Sequence, residues 1–182
     1  EAKQWKALEA KGRLPSPSVD ASGMAWDSKR NRLVMFPTAY GKPFAGKVVT
    51  FEIESGEVKL IEPPGIEVAR TLPGLARESV YLPEDDVVLI LAATLPPAEG
   101  EKTRRTLGFD CARERWVVYT LGGKNPAGSR NVSLGVVHDP KRNLVWACDS
   151  RNQVWVMKPK LAEADKTVPE ANPGPPPIGE TE

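Results

Sequence analysis

The sequence predicts an all-β fold made of repeated antiparallel sheets, and three observations lead to that prediction. A strand–turn–strand pattern recurs over residues 23–36, 78–91 and 135–148, with equivalent positions 55 and 57 residues apart. Within these segments apolar and polar residues tend to alternate, as a strand with one buried face requires. Gly, Pro, Asn and Asp cluster between the apolar runs, where they favour turns and not helix continuation.

The first two repeats each combine two hairpins, and the third has one hairpin followed by a single further strand. In the third repeat, Asp139-Pro140 and Asn143 supply the turn, since Pro presets φ and Asp and Asn side chains bond the local backbone. A second hairpin follows the first at residues 49–60 and again at 107–119. Four strands in a repeat of about 55 residues are typical of a β-propeller blade.

The blades can be counted from these hairpins within residues 1–158. We predict about three four-stranded antiparallel blades: an outer strand at 4–9, in which Trp5 echoes Trp116, and the spans 21–62, 77–121 and, as a partial blade, 133–158. A propeller closes with roughly 4 to 8 blades, so we expect an incomplete propeller. The rest of a longer chain or another polypeptide would complete it, and a homo-oligomer is a further arrangement.

Two features resemble the Kelch repeats of the galactose-oxidase-like superfamily. One is the turn at residues 139–143, and the other is the seven-residue step from Phe109 to Trp116, repeated from Phe51 to Val58. The resemblance covers roughly residues 3–158. The repeats are degenerate, because the Gly-Gly pair that usually follows the second strand is replaced by other residues, namely Pro37-Thr38, Ala92-Ala93 and Asp149-Ser150.

Residues 159–182 differ in composition from the blades. They contain six prolines and few large apolar residues, which predicts an extended, weakly ordered, Pro-rich C-terminal tail. The segment 161–166 is the only helix-like stretch, and it is too short to be stable alone. The tail is interpreted either as a Pro-rich ligand motif or as a plain linker or chain end.

Composition excludes several function classes. The net charge of +1 gives no basic footprint for nucleic acid, and no apolar run approaches the roughly 20 residues of a membrane span. His138 is the only histidine, so multi-histidine metal sites, including the copper site of galactose oxidase, are excluded within this chain. Cys111 and Cys148 lack metal-site spacing, and we expect two buried thiols, with a single disulfide as the alternative in an oxidising compartment. We therefore predict no metal, no cofactor and no catalytic residue.

Blade geometry divides the loops between two rims. The turns within hairpins are short, whereas the connections at 37–47, 61–76, 92–105 and 121–132 are long and lie on the opposite rim. Binding residues concentrate on loops held by a rigid scaffold, so the long-loop rim is the predicted binding face. Its candidate residues are Tyr40, Lys42, Arg70, Arg77, Lys124, Arg130 and Asn131. Each of them, taken alone, also fits an ordinary exposed loop residue.

Two functional hypotheses follow. The first is a non-enzymatic protein-binding or assembly module that forms part of a larger propeller. The alternative is a fragment or subunit of a secreted propeller enzyme acting on carbohydrate or a related substrate, and this rests on fold analogy alone. A secreted or periplasmic location is favoured over a cytoplasmic one.

Overall fold

The computed structural model describes residues 5–12, 22–38, 42–72, 77–97, 99–100, 102–122, 135–148, 153–162 and 164–169. These residues form twelve strands and one short helix. Their bounds are β1 Gly23–Asp27, β2 Arg32–Phe36, β3 Val48–Glu52, β4 Val58–Ile61, α1 Ile66–Arg70, β5 Ser79–Leu82, β6 Val87–Leu95, β7 Arg105–Asp110, β8 Arg115–Thr120, β9 Val136–Asp139, β10 Leu144–Cys148, β11 Val154–Met157 and β12 Asp165–Thr167.

The strands form three antiparallel sheets, which confirms the all-β prediction. Sheet 1 has the order β1-β2-β3-β4, sheet 2 the order β12-β8-β7-β6-β5, and sheet 3 the order β11-β10-β9. The strands β1–β4 lie within the predicted span 21–62, β5–β8 lie within 77–121, and β9–β11 lie within 133–158. Apart from β12, the strands of each sheet therefore lie side by side in chain order, as consecutive hairpins produce.

Five hairpins share one turn geometry. Four of them have a four-residue loop, and the β3–β4 loop has five residues, 53–57. Near the end of each loop one residue has a φ between +47° and +73°; these residues are Asn31, Gly56, Asp86, Glu114 and Asn143. Gly, Asn and Asp adopt this left-handed conformation at low cost, which explains four of the five residue choices. At three of the loops an Asp pairs with the Arg three residues later: Asp27 with Arg30, Asp110 with Arg113, and Asp139 with Arg142.

The sheets stack face to face, with sheet 2 in the middle. One apolar core lies between sheets 1 and 2 and a second lies between sheets 2 and 3. The first strands contact one another in series, β1 with β5 and β5 with β9. Farther out, α1 contacts β8, and Phe44 packs edge-on against Trp116 with ring centroids 5.7 Å apart. The gap between the outer strands of sheets 1 and 2 is thus filled by a helix and aromatic rings.

The predicted outer strand at 4–9 is wrong for its described residues, because 5–10 carry no strand. Only Lys11 pairs, through an isolated parallel bridge to Glu57, with its backbone N–H donating to Gly56 O at 2.7 Å. Trp5 is fully exposed, so it does not share the buried environment of Trp116. Without burial of its apolar side chains, this segment gains little from pairing along the edge of sheet 1.

Part of the predicted tail belongs to sheet 2. The sequence predicts a weakly ordered tail from residue 159, but β12 pairs with β8, and Lys166 Nζ lies 5.7 Å from the ring centroid of Tyr119. Leu161 is buried in the second core, in a turn and not in a helix. Residues 170–182 lie outside the described residues. Pairing with the free edge of β8 therefore outweighs the weak helical preference of this segment.

In the part of the chain that the structure describes, α1 is far too short to cross a bilayer, and no other helix there has the length and apolar character to do so. Cys111 and Cys148 are both free thiols; Cys111 is buried, as expected, and Cys148 is half-buried.

Candidate functional site

The most extensive cluster of ion-paired side chains in the described residues lies at the hairpin end of the junction between sheets 1 and 2. We call it the charged junction. It consists of Asp27, Arg30, Arg32, Lys59, Tyr81, Asp86 and Glu114. The tight hairpin loops bring it together, since each loop reverses the chain over a fixed number of residues.

Arg30 forms the central contact between the two sheets. Its guanidinium donates two hydrogen bonds to Asp86, from Nη1 to Oδ1 at 2.9 Å and from Nη2 to Oδ2 at 2.7 Å. The same Nη1 donates to Asp27 Oδ2 at 3.0 Å within the first loop. Tyr81 OH donates to Asp86 Oδ1 at 2.8 Å. A forked arginine–carboxylate pair of this kind combines charge with fixed geometry.

Arg32 forms a second, deeper contact. Its Nε donates to Asp27 Oδ2 at 3.0 Å, its Nη1 to Glu114 Oε1 at 2.8 Å, and its Nη2 to the carbonyl oxygen of Cys111 at 3.0 Å. Lys59 Nζ donates to Glu114 Oε2 at 2.8 Å. Both oxygens of Glu114 are therefore engaged, and the buried guanidinium is paired on each of its three nitrogens.

The charges alter the pKa values of the groups around them. The hydrogen bond from Arg30 lowers the pKa of Asp86 to about 2, against the opposing effect of partial burial. Burial raises the pKa of Tyr81, and its hydrogen bond to Asp86 raises it further. Burial acts to raise the pKa of Glu114, but Lys59 and Arg32 outweigh it, so the net shift is downward. The junction is thus built for ionised carboxylates and a neutral phenol.

Three possible metal ligands also meet here. One ligand atom each from Asp27, Asp86 and Cys111 lies within 4.8 Å of the other two. Burial, followed by the nearby carboxylate charges, raises the pKa of the Cys111 thiol to about 12, whereas a metal needs the thiolate. Asp86 already holds Arg30 through both oxygens. A cation would have to displace guanidinium groups, so this donor set does not fit a metal.

Three of the predicted rim residues are described. Lys42 is exposed, and Arg70 lies in α1, where Nη1 donates to Glu67 Oε1 at 2.7 Å and Nε to Ala45 O at 3.3 Å. The bond to Ala45 holds Arg70 against the connection between β2 and β3. Arg77 is half-buried, with its Nε 4.0 Å from Glu78 Oε2. Tyr40, Lys124, Arg130 and Asn131 lie outside the described residues.

His138 has a structural position in the third sheet. Its Nε2 lies 3.0 Å from Asn143 Oδ1, and Asn143 Nδ2 donates to Glu84 Oε2 at 2.8 Å. Asn143 occupies the last position of its loop, as Asp86 does in sheet 2. The hydrogen bond from Asn143 therefore ties sheet 3 to sheet 2 at the same end where the charged junction ties sheet 2 to sheet 1.

One cavity of about 320 Å³ opens between the end of β8 and the segment after β11. Its described lining residues are Thr120, Leu121, Gly122, Met157, Lys158, Pro159, Lys160 and Ala164. This lining contributes no carboxylate, imidazole or thiol. Its polar side chains are the hydroxyl of Thr120 and the amines of Lys158 and Lys160.

The charged junction was not predicted from the sequence. A signal for part of it was present, because the pattern Asp-x-x-Arg recurs at the loops that begin after Asp27, Asp110 and Asp139. That pattern indicates the pairing within a loop, but the contact between sheets depends on how two sheets stack. Comparison with protein-family models and with curated proteins finds no match to this chain.

Proposed function

We propose that this chain is a non-enzymatic binding or assembly module, built from consecutive β-propeller blades of the Kelch-like type. The stacking of three antiparallel sheets with their first strands in contact supports this proposal. Blades around a central axis approach one another most closely at their first, inner strands. A helix and aromatic rings fill the wider space outside, as described above for α1 and Trp116.

The observation that carries the proposal is the apolar face of sheet 3 that points away from sheet 2. Val137 and Val154 on this face are 60% and 68% exposed, and Trp146 and Val156 are also exposed. Val137, Trp146 and Val156 are cross-strand neighbours, so they form one continuous row. We call this surface the sheet 3 outward face. Contiguous exposed apolar patches of this kind mark interaction surfaces.

Sheet 1 has a corresponding surface on its side away from sheet 2. Met24 and Trp26 are 58% and 56% exposed, and Leu60 on β4 is exposed as well. We call this the sheet 1 outward face. Val49 and Phe51 point to the same side and are buried. This face is therefore buried at β3 and open at β1 and at Leu60 of β4.

In sheet 2, the positions that correspond to these exposed residues are buried against the neighbouring sheets. Trp26 occupies the register position of Tyr81, one step before the hairpin loop. The pair Val137 and Trp146 corresponds in register to Val80 and Leu89. Tyr81, Val80 and Leu89 are all buried between neighbouring sheets. The open positions of sheets 1 and 3 are thus the positions that sheet 2 uses for packing.

The alternative, an enzyme acting on carbohydrate, gains no support from the described clusters. The carboxylates of the charged junction are held by arginine and lysine, so they do not form a free acid–base pair. His138 faces Asn143. The assembly hypothesis is therefore the one that the geometry supports best.

The test compares two double variants with the wild-type chain. Trp146→Lys with Val156→Lys places two charges on the sheet 3 outward face, and Ala112→Lys with Ala162→Lys places the same charges on exposed turns. We expect the wild-type chain to associate, or to bind a hydrophobic dye while folded, and only the first variant to lose that behaviour. A wild-type chain that stays monomeric, binds no dye and matches both variants would contradict the proposal.

A further inference from the structure

We propose that a second copy of this chain covers both outward faces, with sheet 3 of each copy packed on sheet 1 of the other. This inference rests on the proposed function and adds the partner. The two copies would form a closed ring of six sheets. Its two new junctions would be identical, related by a two-fold axis through the centre of the ring.

The register of the strands supports this pairing. In sheet 2, Tyr81 faces sheet 1 and Val80 faces sheet 3. Their counterparts are Trp26 on the open side of sheet 1 and Val137 on the open side of sheet 3. A contact between sheet 3 and sheet 1 of another copy would therefore repeat the arrangement of the two existing junctions. In particular, β9 would meet β1 as β1 meets β5 and β5 meets β9.

Charge supports the same pairing at the hairpin ends. At the charged junction, the cation Arg30 of the earlier sheet meets the carboxylate of Asp86 in the later sheet. Arg142 occupies the position of Arg30 in its own loop, and it is exposed beside the exposed Lys141. The β3–β4 hairpin of sheet 1 carries Glu54 and Glu57, both exposed. The counterpart of Asp86 in sheet 1 is Asn31, whose Nδ2 donates to Glu54 Oε1 at 3.2 Å. The carboxylate of Glu54 therefore lies beside the position that Arg142 of the second copy would approach.

The number of sheets supports closure by two copies. Propellers close with roughly 4 to 8 blades, and two copies of three sheets fall within that range. A head-to-tail contact gives a closed ring where the rotation returns to its start, and an open polymer where it does not. In the ring, both outward faces of each copy are covered.

The first measurement is the mass of the purified chain by light scattering coupled to size-exclusion chromatography. We expect about 40 kDa, twice the 19.9 kDa of one copy. Trp146→Glu and Trp26→Glu should each give monomers. Trp5→Glu should keep the wild-type mass, because Trp5 is fully exposed and is not part of the strands that form either face. Far-ultraviolet circular dichroism of each variant checks that the sheets are retained.

The decisive measurement mixes the two monomeric variants. A dimer of one Trp146→Glu copy and one Trp26→Glu copy has both substitutions at one junction and none at the other. The mixture should therefore recover dimers that neither variant forms alone. If the dimer instead joined two sheet 3 faces, Trp26→Glu would dimerise alone, and the proposal would be wrong.

The remaining outcomes separate this inference from the proposed function. A wild-type monomer that binds a hydrophobic dye through Trp146 would overturn the second copy and leave the assembly module, with further blades or another polypeptide as its partner. A wild-type monomer without dye binding would overturn both. Open polymers, or a dimer unchanged by both substitutions, would overturn the closed ring.

Discussion

Arg30 holds both carboxylate oxygens of Asp86 across the junction of sheets 1 and 2, with N–O distances of 2.9 and 2.7 Å. The two residues are 56 positions apart, close to one repeat. The pair therefore joins equivalent loops of neighbouring sheets and fixes how one sheet sits on the next.

Arg30→Gln should destabilise the protein by about 2 kcal/mol, between the values for exposed and buried ion pairs. It removes the fork from Asp86, whose side chain is 18% exposed. Arg113→Gln is the matched control, because it changes the same loop position in the β7–β8 hairpin, where the side chain pairs with Asp110 of its own loop and is 64% exposed. We expect no measurable loss there. Urea midpoints at equal m-values give the comparison, and equal losses for the two variants would contradict this role of Arg30.

The folding stability should fall in acid as Asp86 becomes protonated. Its pKa is about 2 in the folded state and 3.8 as an isolated group. Because the folded value is lower, this contribution is complete above pH 3.8 and is lost as the pH falls toward 2. A shift of this size corresponds to about 2 kcal/mol.

Asp86→Asn isolates that contribution. Asparagine suits the loop, since Asn31 and Asn143 hold the equivalent left-handed positions. We expect the variant to be less stable than wild type near neutral pH, and the difference to shrink between pH 4 and 2. Chemical unfolding across this range measures it. A difference that stays constant with pH would show that the charge of Asp86 has no such role.

Gly56 should tolerate alanine poorly. Its φ is +73°, and a Cβ there would clash with the carbonyl oxygen of Glu9. Gly100 has a φ of +80° but no atom within 4 Å of that Cβ position. We expect Gly56→Ala to lose about 2 to 3 kcal/mol and Gly100→Ala about 1 kcal/mol. Thermal or urea unfolding measures both, and equal losses would mean that the segment at Glu9 gives way.

The elements that depend on local chemistry, the hairpins, could be predicted from the sequence. The hairpins follow from turn residues such as Asn31 and Asn143, whose conformation depends on a few neighbours. The charged junction could not be predicted this way, since Arg30 and Asp86 meet only after two sheets have stacked. The strand β12 was missed for the same reason, because its partner β8 ends 45 residues before it begins. In this segment, pairing with β8 outweighs the local preference for a helix.

Trp116 should be the tryptophan on which stability depends most clearly. It is fully buried, with ring centroids 5.6 Å from Phe36 and 5.5 Å from Phe109, and its Nε1 donates to Gly46 O at 2.8 Å. Trp116→Phe leaves a cavity and an unpaired buried carbonyl, so we expect a loss of about 2 to 3 kcal/mol. Trp5→Phe, at a fully exposed position, should change stability by less than about 0.5 kcal/mol.

Urea unfolding followed by far-ultraviolet circular dichroism measures both tryptophan variants without relying on their own emission. Fluorescence adds a second readout, because Trp116→Phe removes a buried emitter and should shift the folded spectrum to longer wavelength. Trp5→Phe removes an exposed emitter and should shift it the other way. Equal stabilities for the two variants would mean that the aromatic cluster around Trp116 does not hold sheets 1 and 2 together.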